Sequence, residues 1–117
     1  MYRVIIAGGR DFSNYPYLRS CADKDLAAIT DEIQIVSGNA RGADSLGERY
    51  AQEKGYKLAL FPADWERYGR SAGPRRNAQM AENADALIAF WDGQSRGTKN
   101  MIDRATEKGL KVTVHNY

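Results

Sequence analysis

The sequence predicts a three-layer α/β domain, a five-stranded parallel sheet in the order 3-2-1-4-5 with helices on both faces. Three observations carry that expectation. Apolar runs alternate with helical patterns along the chain, some runs are continuously apolar while others alternate, and the length suits a single core. With 117 residues, the chain can bury roughly two thirds of the surface it exposes when unfolded. Residues 1–117 are therefore read as one domain.

The first strand is Val4 to Ala7. Leu18, Ala22, Leu26 and Ile29 then space as one face of a helix that Pro16 can start. Ile33 to Val36 is the second strand. Ala43, Leu46, Tyr50 and Ala51 mark a second helix, ended by Gly55. The third strand is Tyr56 to Phe61. A third helix begins near Gly73-Pro74 and carries Ala78, Met80, Ala81 and Ala84. Ala86 to Trp91 is the fourth strand. A fourth helix runs from Thr98 through Met101, Ile102 and Ala105 to Gly109, and Leu110 to His115 is the fifth strand.

Strand and helix alternating in this way imply a parallel sheet covered on both faces. "VIIA" and "ALIAF" are continuously apolar, as strands buried on both faces are, whereas "YKLALF" and "KVTVH" alternate, as edge strands do. With right-handed crossovers, the order 3-2-1-4-5 places the continuous strands at the centre. The chain then reverses direction between strands 1 and 4. In open α/β sheets the ligand crevice lies at that reversal, beyond the carboxyl ends of the strands.

Composition removes several function classes. A net charge of +2 is too small to predict nucleic-acid binding, but eleven of the seventeen basic residues are arginine. Arg10, Arg41, Arg70, Arg75, Arg76 and Arg96 fall in predicted loops or helix starts, and arginine's planar fork suits phosphate and carboxylate. Cys21 is the only cysteine, so no intrachain disulfide forms, and its place in a helix pattern predicts burial. With His115 the only histidine, a multi-ligand Cys/His metal site is excluded, and neither metal nor cofactor is predicted. No apolar run approaches the ~20 residues of a membrane span, and no signal-peptide pattern precedes the first strand. The expectation is a soluble, cytoplasmic protein.

Three loops converge on the predicted reversal. "GGRDF", Gly8 to Phe12, follows strand 1, and "WDGQSRGT", Trp91 to Thr98, follows strand 4. Both hold glycines that permit close backbone approach, and both enter helices whose first N–H groups are unpaired and favour an anion. "SGNARGAD", Ser37 to Asp44, follows strand 2 beside them. It reads either as a tight turn with Arg41 facing water, or as a phosphate seat on the N–H groups from Gly38 to Ala43 with Arg41 adding charge. It matches neither GxGxxG nor GxxxxGK[ST]. Asp44 either caps the helix or bonds a ribose hydroxyl or an amino group.

The connection "PADWERYGRSAGPRRNAQM" is long for a small domain, and such loops are usually functional. Trp65 reads as a core lid or as a platform for a nucleobase. Arg75 and Arg76 reinforce the positive end of a helix, which is unfavourable unless an anion is received there.

These motifs together resemble a known family. "VSGNARGAD" is similar to the SGxAxGxD motif of the DprA-type Rossmann domain, and "GPRRN" to the PxRN segment of the same proteins. With "GGRDF", "FPADWERYG" and "FWDGQSRGT", the whole chain resembles the small YspA-like branch of the SLOG superfamily, whose fold is Rossmann-like. That superfamily includes LOG phosphoribohydrolases, which release a base from a nucleoside monophosphate, and sensor domains for NAD-derived or cyclic nucleotides. Gly38, Arg41, Gly42 and Asp44 align with the DprA-like motif. Arg76 and Met80 fit an R-x-x-x-M spacing that in LOG enzymes includes a catalytic arginine. The LOG motif PGGxGTxxE ends in a catalytic glutamate; here "DGQSRGTKNM" keeps Gly97 and Thr98 but has Asp92 at the proline and Met101 at the glutamate position. Asp103, two residues on, points about 200° away on a helix. The resemblance also implies a homodimer or larger assembly, paired through helices flanking the site.

The leading expectation is a module that binds a nucleotide or nucleotide-derived ligand, NAD- or ADP-ribose-like or cyclic, for sensing or sequestration. Gly8, Gly9, Gly38, Gly42, Gly97 and Thr98 would supply donors and close approach. Arg10, Arg41, Arg75 and Arg76 would neutralise phosphate, Asp44 and Asn77 would read ribose or base, and Trp65 or Trp91 would cover the base. Ser37, Asn39, Asp92 and Ser95 complete the candidate set. A second reading is a hydrolase of an N-glycosidic or phosphate bond, with Asp11, Asp44, Asp92 and Arg76 as catalytic candidates. A third is single-strand nucleic-acid binding, which the arginines and aromatics favour and the near-neutral charge opposes.

Overall fold

The computed structural model describes residues 1–117 throughout. Five parallel strands, β1 (Tyr2–Gly8), β2 (Ile33–Ser37), β3 (Lys57–Leu60), β4 (Ala86–Trp91) and β5 (Lys111–Asn116), lie in the order β3-β2-β1-β4-β5, as predicted. In the register, Val4 faces Ile35 on one side and Ala86 on the other. Alternate residues of the central strands feed two separate cores. Val4, Ile6, Ile35, Ile88 and Phe90 pack under α1 (Tyr15–Leu26) and α2 (Ala43–Lys54). Ile5, Ala7, Val36, Leu87 and Ala89 pack on the opposite face under α4 (Ala72–Glu82) and α5 (Arg96–Glu107). Each fully buried Ile or Leu contributes about 1.5–3 kcal/mol, so the central strands hold the most stable part of the fold.

Capping side chains place the helix ends, and they move several boundaries from their predicted positions. Asn14 accepts the Tyr17 N–H at 3.1 Å, with Pro16 in the first turn, so α1 starts early; it also ends at Leu26, before Ile29. Cys21 is only half-buried at the rim of that core, where burial was expected. Gly55, at φ 70°, stops α2 with a left-handed turn. Ser95 accepts the Thr98 N–H at 3.4 Å, and α5 therefore begins at Arg96 rather than Thr98.

The long connection is not a structureless loop. Asp64 caps a single helical turn, α3 (Trp65–Tyr68), by accepting the Arg67 N–H at 3.1 Å. A 3₁₀ turn over Gly69–Ser71 then leads directly into α4, which starts one residue before Gly73 and tolerates Pro74 in its first turn. At the sheet edge, Leu58 and Leu60 of β3 are 40% and 49% exposed, with Leu58 beside α2. No helix is long and apolar enough to cross a membrane.

Candidate functional site

A crevice of about 710 Å³ opens at the carboxyl ends of β1 and β4, where the sheet order reverses. The β1 loop contributes Gly8, Gly9, Arg10 and Asp11 to one wall. The start of α5 supplies Ser95, Arg96, Gly97 and Thr98 with Asn100, and α4 supplies Gly73, Pro74, Arg76 and Asn77. Ala7, Met80 and Met101 form an apolar floor, and Ala40 and Asp44 enter from the β2–α2 connection. No three His, Cys, Asp or Glu side chains are arranged to hold a metal ion.

Arg76 is the most constrained cation at the site. Its Nε donates to Asn77 Oδ1 at 3.0 Å, and its Nη1 donates to the Gly38 carbonyl. Asn77, in turn, donates from Nδ2 to Asn100 Oδ1 at 3.0 Å and to the Gly97 carbonyl at 3.4 Å. Asn77 is thus fully engaged in orienting Arg76 and in joining α4 to α5. Burial pulls Arg76 below its usual value, yet a guanidinium remains charged at neutral pH.

Asp44 is 6% exposed and sits in the first turn of α2, but its side chain caps nothing there. Its Oδ2 accepts the Ala40 N–H at 3.2 Å, and Oδ1 has no protein partner. Burial raises its carboxyl to about 6, against the lowering effects of the Ala40 N–H and of the Arg76 and Arg10 charges. Asp44 and Arg76 form no ion pair, because Arg76 directs its fork at Gly38 and Asn77. A Cβ at Gly38 would lie 2.6 Å from Arg76 Nη1 and 2.8 Å from Asp44 Oδ2. Only glycine fits between the two groups.

The rim carries charge of both signs. Arg10 stacks over the Trp65 ring at 5.6 Å, and Trp65 is 49% exposed at the mouth, not a lid on the core. Asp92 accepts the Gln94 and Ser95 N–H groups, both at 2.8 Å, and these bonds hold its carboxyl below the usual range. It therefore stays ionised and fixes the loop. Asp11 accepts the Tyr117 hydroxyl at 2.8 Å, and burial together with that bond pushes the hydroxyl up to about 12. Tyr117 lies so close over Gly9 that a side chain at that position would collide with it.

Several candidates from the sequence lie off the crevice. Ser37 is buried and donates to Glu48 at 2.7 Å while accepting the Asn39 N–H, and Asn39 takes a left-handed turn at φ 59°. Gly42, at φ 76°, lies against the Gly9–Arg10 backbone, and Arg41 faces solvent. Arg75 turns outward to stack on Tyr68 at 4.3 Å and to bond Ser71. Trp91 donates its Nε1 to the Ser95 carbonyl at 3.1 Å, shaping the loop from behind. Conversely, Asn100, Arg96 and the Met80–Met101 floor line the crevice without having been in the candidate set. Chemically, the crevice combines three guanidinium groups and a helix start for an anion, an apolar floor, and one buried carboxylate.

Comparisons with known proteins agree with this fold. The model of the YspA, cpYpsA-related SLOG family matches residues 2–68. The Gene 61 protein of Mycobacterium phage D29 is 33% identical over 118 residues, spanning 96% of this chain and 94% of that protein. Among solved structures, DNA processing protein A (DprA) from Streptococcus pneumoniae superposes with a TM-score of 0.69 at 22% identity. It covers 97% of this chain, which spans about half, 49%, of DprA. The protein TM1055 also gives 0.69 at 21% identity, over 96% of this chain and 72% of that one.

Proposed function

We propose that this chain, which belongs to the YspA, cpYpsA-related SLOG family, binds a nucleotide or nucleotide-derived ligand, of NAD, ADP-ribose or cyclic type, for sensing or sequestration. The observation that carries this reading is the convergence of Arg10, Arg76, Arg96 and the α5 N-terminus on one crevice with an apolar floor. The cations and the helix start suit phosphate. The Met80 and Met101 surface suits a base or the apolar face of a sugar, and Trp65 at the mouth can stack on a ring.

One observation favours a second reading. Asp44 is a buried carboxyl with a raised value, the kind of group that transfers a proton in a hydrolase of an N-glycosidic or phosphate bond. Against it, the floor offers Met101 where a LOG-type carboxylate would stand, and Asp103 pairs with Lys99 at 3.1 Å on the outside of α5.

The test is a melting-temperature panel of AMP, ADP, cyclic AMP, NAD and ADP-ribose, with each mixture then analysed by chromatography. A ligand at about 100 times its Kd should stabilise the fold by about 2.7 kcal/mol, and Arg76→Ala should abolish that shift. No shift with any member, or a shift unchanged in Arg76→Ala, refutes the proposal. Appearance of product selects the hydrolase, and salt-sensitive binding of an oligonucleotide, tighter than of any mononucleotide, selects nucleic-acid binding.

A further inference from the structure

Asp44 is an unusual group to bury. It is 94% removed from solvent, within hydrogen-bond reach of one backbone amide, and its Oδ1 is left without a partner at the crevice wall. A buried carboxylate with a single hydrogen-bond partner is costly to a fold, so a native chain keeps one where something else completes it. The nearby cation, Arg76, acts on Asp44 only through its charge, because its fork bonds the Gly38 carbonyl and Asn77 instead. That arrangement leaves the acceptor open toward the crevice.

The chemistry of the missing partner follows from the surroundings. A ligand phosphate is repelled by the carboxylate and has Arg10, Arg76 and Arg96 to receive it instead. A cationic group would be repelled by Arg76 and Arg10, whose charges already reach Asp44. A neutral donor is required. Arg76 and Asp44 flank Gly38, within 2.6 and 2.8 Å of where a Cβ on it would lie, without forming an ion pair. A neutral hydroxyl on a ligand that also carries phosphate meets both demands, because the anion goes to the arginines and the hydroxyl to the carboxylate.

We propose that Asp44 is the sugar-reading residue of the site: its free Oδ1 accepts a ribose hydroxyl, so the crevice takes ribonucleotide-type ligands in preference to their deoxy counterparts. This inference rests on the nucleotide reading above. Discrimination arises because a deoxy ligand would leave the carboxylate both dehydrated and unpaired, and a hydrogen bond to a charged group is the strong kind.

The experiment is calorimetric titration of the whole chain with AMP, 2′-deoxy-AMP, 3′-deoxy-AMP and IMP, repeated with ADP and its deoxy forms. The expected result is a loss of about 10- to 100-fold in affinity for at least one deoxy ligand, with IMP bound like AMP. In Asp44→Asn and Asp44→Ala the ribo and deoxy ligands should bind within about threefold of each other. Equal binding of ribo and deoxy forms by the natural chain overturns the inference, as does discrimination that persists in Asp44→Ala. A loss confined to IMP overturns it in favour of an amino-group contact. If ribo and deoxy ligands alike fail to bind, the nucleotide reading itself falls, which separates the two failures.

Discussion

Replacing Asp44 by asparagine should make the protein more stable at neutral pH. Burial lifts the carboxyl from 3.8 to about 6, which amounts to about 3 kcal/mol of destabilisation once the group is fully ionised, at about 1.36 kcal/mol per unit. Between those two values the folded chain keeps the proton that the unfolded chain has released. Stability therefore falls as pH rises through that window, with the full penalty above about 6 and almost none below 3.8. Asparagine removes the ionisation while its amide oxygen can still accept the Ala40 N–H. Arg76 from α4, Arg10 from the β1 loop and Glu48 from α2 act on the same carboxyl, so Glu48→Gln serves as the control for the other acid. Urea unfolding at pH 4.0, 5.0, 6.0 and 7.5 should show Asp44→Asn ahead by about 2–3 kcal/mol at pH 7.5, a Tm rise on the order of 10 °C. The curves should converge to within about 0.5 kcal/mol near pH 4. A gap independent of pH, or a variant less stable than the natural chain at pH 7.5, would refute the reasoning.

Two further substitutions probe the same site from behind. Gly38→Ala puts a methyl group against Arg76 Nη1; we expect a loss of about 1–3 kcal/mol in stability and disappearance of the nucleotide-induced Tm shift, although no atom that faces the crevice has been removed. Asn77→Ala strips the orienting bonds from Arg76 and the tie to Asn100. Denaturant curves should show about 1–3 kcal/mol of destabilisation, and ligand affinity should fall even when measured at a temperature where the variant is fully folded.

The strand order was legible because burial on two faces leaves a direct trace. "VIIA" and "ALIAF" carry no polar residue, and β4 occupies the predicted Ala86–Trp91. Helix ends were harder to read. They depend on whether Asn14, Asp64 or Ser95 turns its side chain back onto a backbone N–H, and for Asp64 this converted an apparent loop into a helical turn. Within the site, spacing located the three loops but not the directions of single side chains. Arg75 and Arg76 are neighbours about 100° apart on a helix, so only one can face the crevice, and Tyr68 draws the other away. Met80 and Met101 read as ordinary core residues, and only the packing of α4 against α5 turns them into a floor. The Tyr117–Asp11 bond joins residues 106 apart and leaves no local signal at all.

Asn77 bears on how fast anything can come and go. Because its amide ties α4 to α5, parting the two helical walls to admit an occupant would break those bonds. Passage falls to the Trp65 and Arg10 side chains at the mouth, and exposed side chains swing in picoseconds to nanoseconds. Association should accordingly run as a single phase without a slow opening step. Residence time would then report chiefly the strength of the contacts inside the crevice.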